Sequence, residues 1–521
     1  MDYISFQRNK IIFLCAVAFL IFISVAATFA YKDARFGVEN LPSVLARLGE
    51  QAGYGLYYRI RFSLSPAVYA TPDPERKARA VPALVYHAID ETGGEYTISK
   101  AEFADQMHAL HSAGWRTVTL KEFEDFLRGQ RELPERSFLL TFDDGAKESY
   151  YPVDPVLSAL HMTAVTFILP KFSVDNGSHY YLSLGELRNM IESGRWEIGS
   201  HGQDSHQLFA ADAKGTLVPA LSRPVWLADK QRLETDEEYE SRIEADLRIS
   251  QHNLEQALSI PINAFAFPFG EFGQLNDSYP AAVTTVSRIA EGMYSMSFHQ
   301  VRRGEAFSFN YPEPDPPRAL LVKRIEPHPR TGPEELFERM ENGLPKDLPF
   351  KDDFAKEHGW FSVWGPYDFT EGSLSLRASP EETGSALVLD GTRGWRDYRV
   401  RLLVEAPRRN GVYMWVRFQG NTQHAGCNFG NDYIHVEETL SDETSVIKGV
   451  RTENIAIPDG EFIVEARVNG RSLTCTLNDG VSVTSEFLNP ALATGGIGIK
   501  IWDREPGHAQ LIVKSVSVEP L

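Results

Sequence analysis

A chain of 521 residues is longer than one ordinary domain, and 43% hydrophobic with 24% charged residues excludes a disordered polymer. A formal net charge of −19 argues against a nucleic-acid binder, which normally shows a basic face. The cysteines at 15, 427 and 475 are too few for a disulfide-built scaffold.

Arg8 and Lys10 precede an uncharged run, Ile11 to Ala30, close to the ~20 apolar residues that cross a bilayer as a helix. Basic residues ahead of the run predict a cytoplasmic start and an exported remainder, periplasmic or extracellular. The run is longer than the ~7–15-residue core of a cleaved signal, so residues 11–30 read as a membrane anchor. Cleavage after Ala30, with Thr28 and Ala30 as the small pair, is the alternative within a 1–30 segment. Cys15 follows Phe13 and Leu14, bulky residues unlike a lipoprotein cleavage site. Residues 31–80 read as a tether, with helical apolar spacing in LPSVLARLGEQAGYGLYYRIRF and a linker in SPAVYATPDPERKARA.

From 81 to 345 strand and helix signals alternate. VPALVYHAID begins a strand, and SKAEFADQMHALHSAGW opens on a capping box, Ser99 with Glu102. RTVTL, SFLLTF, TAVTFILP, WEIGSH and NAFAFPFG read as strands. KEFEDFLRG, the Pro155–His161 region, SLGELRNMIESG and TDEEYESRIEADLRISQHNLEQAL read as helices. The fold class is therefore α/β, a (β/α) barrel-like unit built on a parallel sheet. From 346 to 521 short alternating strands follow one another, with turns at Asn469-Gly470 and Asp479-Gly480. That is an all-β jelly-roll sandwich, read as a carbohydrate-binding domain. Cys427 and Cys475 both sit in its strands, and pairing and unpaired burial are both open.

The chemistry concentrates at strand ends. Asp143 and Asp144 follow the greasy run Phe138-Leu139-Leu140, and two adjacent acids repel unless a cation or a proton separates them. His201 and His206 follow the strand WEIGS, again at the end where barrel enzymes place their chemistry. One carboxylate with two imidazoles makes a three-ligand metal set that leaves positions open. Asp144 then binds the metal while Asp143 stays available as a base.

TFDDG, GSHGQDSH and FAFPFG, in that order, resemble the motifs of the polysaccharide deacetylases of carbohydrate esterase family 4, the NodB-homology domain. VPALVYH resembles the family's opening strand and LVKRIEP its closing one. The five-residue interval from His201 to His206 resembles the branch acting on poly-β-1,6-N-acetylglucosamine. The resemblance implies a divalent metal, zinc, on Asp144, His201 and His206, with Asp143 as general base. It also implies an oxyanion donor in the Phe269 backbone N–H and a substrate contact at His87. Two departures stand out. The place where many members carry an Arg that orients the base holds Ala266, and only His328 approaches the family's Leu-x-His, which leaves the general acid unassigned.

The insertion after His206, with Trp226, is expected to overhang the cleft. The C-terminal unit resembles concanavalin and laminin-G jelly rolls, with Trp364, Trp395 and Trp502 as stacking candidates or core residues. The implied function is metal-dependent N-deacetylation of an exported N-acetylhexosamine polysaccharide, with the polymer as partner. The alternatives are an O-acetyl polysaccharide esterase and a catalytically weak glycan-binding protein.

Overall fold

The computed structural model describes residues 41–521 except 65–72, 74, 95–96, 176–179, 275–277, 302–304, 306, 314–315, 357–358, 371, 409, 431, 441–445, 448–451, 454, 456 and 487. The anchor read at 11–30 lies outside the described residues. Among those described, no helix is long and apolar enough to cross a membrane. The chain divides into two compact units. One holds the chain up to Gln300 together with Asn310–Phe337, and the other holds Val301–Phe309 with Glu338–Leu521.

The first unit is a closed parallel barrel. Its strands are β1 (Ala83–Tyr86), β2 (Ser137–Phe142), β3 (Ala164–Ile168), β4 (Trp196–Ser200), β5 (Ala264–Ala266), β6 (Met296–Gln300) and β7 (Leu320–Ile325). Because β1 pairs with both β2 and β7, the ring has no open edge between first and last strand. A short strand, Arg116–Thr117, pairs with the start of β2. Strands β2 and β3 are buried along their whole length, as apolar runs covered on both faces require.

Helices α1 (Leu41–Leu64), α2 (Lys100–Ser112), α3 (Leu120–Leu127), α4 (Asp154–Leu160), α5 (Leu184–Glu192), α6 (Asp236–Leu258) and α7 (Ala281–Met293) accompany the strands. Reciprocal capping boxes start α2, α3, α5 and α6, pairing Ser99 with Glu102, Thr119 with Glu122, Ser183 with Glu186 and Thr235 with Glu238. Each satisfies amide donors that the helix cannot, worth about 1 kcal/mol apiece.

The stretch read as a tether contains α1, and α1 is docked rather than free. Tyr58 is buried, Arg61 pairs with Asp105 at 2.6 Å, and Phe62 stacks on His108 with centroids 4.4 Å apart. Strand β6 and helix α7 are absent from the sequence reading. In SMSFHQ, Ser297 and His299 interrupt the apolar run and hide a buried strand.

The second unit is an antiparallel sandwich. One sheet orders its strands Tyr367–Thr370, Ser373–Arg377, Gln510–Pro520, Tyr398–Glu405, Glu461–Asn469, Ser472–Leu477 and Val481–Ser485. The other orders Trp360–Trp364, Gly384–Leu389, Gly496–Trp502, Gly411–Gly420, Gln423–Phe429 and Tyr433–Leu440. Cys427 and Cys475 form a disulfide that joins the two sheets. Trp395 belongs to the core between them, its indole N–H donating to the Lys346 carbonyl at 2.9 Å. It has no free face for a ligand.

Candidate active site

Strand β2 delivers both acids, and the backbone after it separates them. The Asp143 N–H donates to the Tyr86 carbonyl of β1 at 3.0 Å, which continues the ladder. Asp144 then turns into the left-handed region at φ 72°, a conformation that costs a non-glycine residue and is held only by its surroundings. Gly145 follows at φ 69°, where a Cβ would meet Ile168 Cδ1 at 2.7 Å. The sharp reversal sends the neighbouring carboxylates to different partners.

Asp143 is 2% exposed and meets Arg324 of β7. Arg324 Nη1 donates to one carboxylate oxygen at 2.6 Å and Nη2 to the other at 2.7 Å, a bidentate fork. Burial opposes the charge on Asp143. The Arg324 charge and hydrogen bonds, with the fields of His201 and His87, outweigh it and hold the acid below the usual carboxylate range. Two lone pairs on each oxygen leave acceptor capacity beyond the fork. The guanidinium itself is fully buried, over the rings of Phe167 and Phe298.

Asp144 faces the imidazoles. Its Oδ1 lies 3.5 Å from His201 Nε2 and 3.2 Å from His206 Nε2. One ligand atom from each of the three residues lies within 4.8 Å of the others. Against burial, the His201 hydrogen bond and the charges of His201, His87 and His206 hold Asp144 well below its ordinary range. Burial, then the His201 charge, pushes the His206 imidazole down, which keeps its nitrogen lone pair available. His201 is 1% exposed, and its Nδ1 is 2.9 Å from the Ala266 carbonyl of β5. An Nδ1–H donated there fixes the tautomer that leaves Nε2 as the free acceptor.

The loop between the histidines is clamped. Asp246 of α6 accepts from the Gln203 and Asp204 amides at 3.1 and 2.5 Å and from the Ser205 hydroxyl at 2.8 Å. Phe269 sits at φ 61° in the turn after β5, and its ring stacks on His206 with centroids 4.6 Å apart.

His87 leaves β1 one residue after the carbonyl that binds Asp143. Its Nδ1 is 3.2 Å from Glu326 Oε1, and the side chain is 31% exposed. Burial pulls its pKa down, but the Glu326 hydrogen bond and the charges of Asp143 and Asp144 prevail and raise it to about 9.

The donor set suits a divalent cation. Asp144 Oδ1 is buried with an imidazole nitrogen from each histidine converging on it, and one carboxylate with two imidazoles is the ligand chemistry of zinc and its neighbours.

Arg324, Glu326 and Asp246 are absent from the sequence reading. Arg324 had a signal: on β7 it continues the inward series Leu320, Val322, and a charge in that series needs a buried counter-ion. Ala266 contributes a carbonyl rather than a side chain, and the guanidinium missing from its place comes from β7. His328 is a loop residue whose Nδ1 accepts the Arg330 amide at 3.3 Å. Trp226 is half-buried in a two-residue hairpin strand paired with Arg232–Leu233.

Residues 130–284 match the family model described as polysaccharide deacetylase. The barrel carries a polysaccharide deacetylase domain. Among curated relatives, the poly-β-1,6-N-acetyl-D-glucosamine N-deacetylase of Escherichia coli strain K12 is 26% identical over 205 residues, 36% of this chain and 30% of its own length. The putative polysaccharide deacetylase YxkH of Bacillus subtilis is 30% identical over 159 residues, 30% of this chain and 52% of that relative. A solved de-N-acetylase structure from Aggregatibacter actinomycetemcomitans shares 22% identity over 50% of this chain, with a TM-score of 0.42. The chain thus spans between about a third and half of the length of these curated relatives. Within the deacetylase domain, the matched stretch includes the acid pair, both histidines and Phe269, while His87 and Arg324 lie beyond its two ends.

Proposed function

We propose that the chain is a metal-dependent N-deacetylase of an exported N-acetylhexosamine polysaccharide of the poly-N-acetylglucosamine kind. The observation that carries this reading is the three-residue donor set beside a buried carboxylate held ionised by Arg324. The names of the curated relatives supply the polymer. The uncharged run at 11–30 behind Arg8 and Lys10 would anchor the protein on the exported side.

Asp144, His201 and His206 would hold the cation, zinc. When bound there, such an ion acidifies water and polarises a carbonyl oxygen. Asp143 takes a proton from the water that attacks the acetamide carbon, and Arg324 keeps Asp143 ionised and aimed. The Phe269 backbone N–H receives the oxyanion as the carbonyl bond opens. When the carbon–nitrogen bond breaks, the amine needs a proton, and His87, charged at neutral pH and tied to Glu326, donates it. Acetate and a free amino sugar leave.

Incubation with acetylated glucosamine oligomers and with acetylxylan should release acetate from the first. Release from acetylxylan alone would replace the amide reading with an ester one.

The proton donor makes its own expected result. Turnover should fall as pH rises toward 9, because His87 loses the proton it donates. Glu326→Gln removes the strongest upward influence on His87, so the same fall should begin at lower pH. His87→Gln should cut turnover by about 10²-fold and abolish that alkaline limb. A His87→Gln profile that keeps the limb would assign the acid to another group.

A further inference from the structure

In the sandwich, the sheet holding Gly411–Gly420 turns Met414, Cys427, Val436 and Ile499 into the core. Two-residue alternation puts the residues between them on the opposite face. Register lines them up across strands: Trp364 opposes Ala386, Ala386 opposes Lys500, Lys500 opposes Tyr413, Tyr413 opposes Asn428, and Asn428 opposes His435. Beside that row, Gly498 opposes Trp415, and Gly426 opposes both Trp415 and Glu437.

Glycines let the rings lie down on this face. A Cβ on Gly411 would meet the Trp502 ring at 2.4 Å, one on Gly426 the Tyr413 ring at 2.4 Å, and one on Gly430 the Tyr433 ring at 2.3 Å. At one end Phe307 packs into an apolar cluster with Trp415 and Phe418, which leaves that end filled. The other end is polar and half-open. Glu437 Oε1 accepts from Asn428 Nδ2 at 2.8 Å and from His435 Nε2, and its side chain is 15% exposed. The Trp502 indole N–H donates to Asn428 at 3.4 Å. The Lys500 ammonium lies 5.7 Å from the Trp364 ring centroid. His435 is 5% exposed, and its Nδ1 has no hydrogen-bond partner.

Phe307, Val388, Tyr413, Trp415 and Phe418 form an apolar cluster of their own, so packing accounts for that end of the face, but it does not require the charged end at Glu437, Lys500 and His435. A carboxylate, an ammonium and an imidazole among aromatic rings are costly unless partners complete them. Glu437 and Lys500 offset each other, which favours a neutral occupant. Flat ring faces suit the apolar face of a cyclic ligand, and the fixed polar groups suit its hydroxyls.

We propose that this face binds a neutral pyranose chain, the still-acetylated N-acetylhexosamine polymer, with Trp364 and Trp502 stacking on sugar rings and Glu437 and Lys500 taking hydroxyl or acetamido groups. The identity of the polymer rests on the N-deacetylase reading. The face would keep unreacted polymer near the enzyme, since removal of acetyl groups creates cationic sugars that meet Lys500.

The test is hydroxyl-radical footprinting of the full chain, under chelator to stop turnover, with a β-1,6-linked N-acetylglucosamine hexamer and with its de-N-acetylated counterpart. The acetylated hexamer should protect Trp364 and Trp502. Glu437→Gln and Trp502→Ala should each weaken that protection about 10-fold in hexamer concentration, and Trp502→Phe should largely restore it. Acetate release from an N-acetylglucosamine trimer should be unchanged in these variants. Absent protection at saturating hexamer, or the same affinity in Glu437→Gln and Trp502→Ala as in the parent, overturns the proposal. Stronger protection by the de-N-acetylated hexamer overturns the neutral occupant. Protection without acetate release from any hexosamine oligomer supports the face and overturns the deacetylase reading instead.

Discussion

Arg324→Met should be among the most damaging single changes in the barrel, lowering stability by about 3–5 kcal/mol and turnover by about 10²–10⁴-fold. The reason is what it leaves behind. Asp143 stays 2% exposed with its fork removed. Its pKa then rises, because burial remains while the main influence holding it down is gone. A protonated Asp143 cannot accept a proton, so residual activity should climb with pH. Asp143→Asn strands the fully buried guanidinium instead and should lose comparable stability, although its shape is conserved. The paired change Asp143→Leu with Arg324→Met removes both charges and should recover stability without activity. Thermal melts and acetate release on the four proteins decide the matter. Full stability and turnover in Arg324→Met would show that the fork has no part in either.

Metal retention should separate the two neighbouring acids. Asp144→Asn and the His201→Ala, His206→Ala double variant should each lose divalent-ion binding and nearly all turnover, because each removes donors from a three-residue set. Asp143→Asn, where it folds, should keep the ion, since its carboxylate faces Arg324 and not the imidazoles. Elemental analysis after reconstitution should find about one ion per wild-type chain. A double histidine variant that binds the ion as tightly as wild type would remove the site.

The strand–helix alternation made the barrel legible, because fully buried strands read as apolar runs and capping boxes mark helix starts. The acid pair and the histidines were legible because a strand end fixes where their side chains gather. What escaped was whatever depends on ring closure. Arg324 is adjacent to β2 only through β1, and no local pattern links positions 143 and 324. Strand β6 escaped because its buried Ser297 and His299 imitate a loop. The docked helix α1 escaped because helical spacing alone does not say what an apolar face will meet. The disulfide stayed open for the same reason: Cys427 and Cys475 are brought together by the stacking of two sheets.

The fork between Asp143 and Arg324 spans 181 residues of sequence. A ribosome adding ~5–20 residues per second delivers Arg324 about 10–40 s after Asp143. During that interval the acid exists and its counter-ion does not, so the nascent barrel cannot bury the carboxylate in its working state. Catalytic competence therefore arrives last, with the strand that closes the ring, and a chain truncated before that strand would be silent however many of its motifs were present.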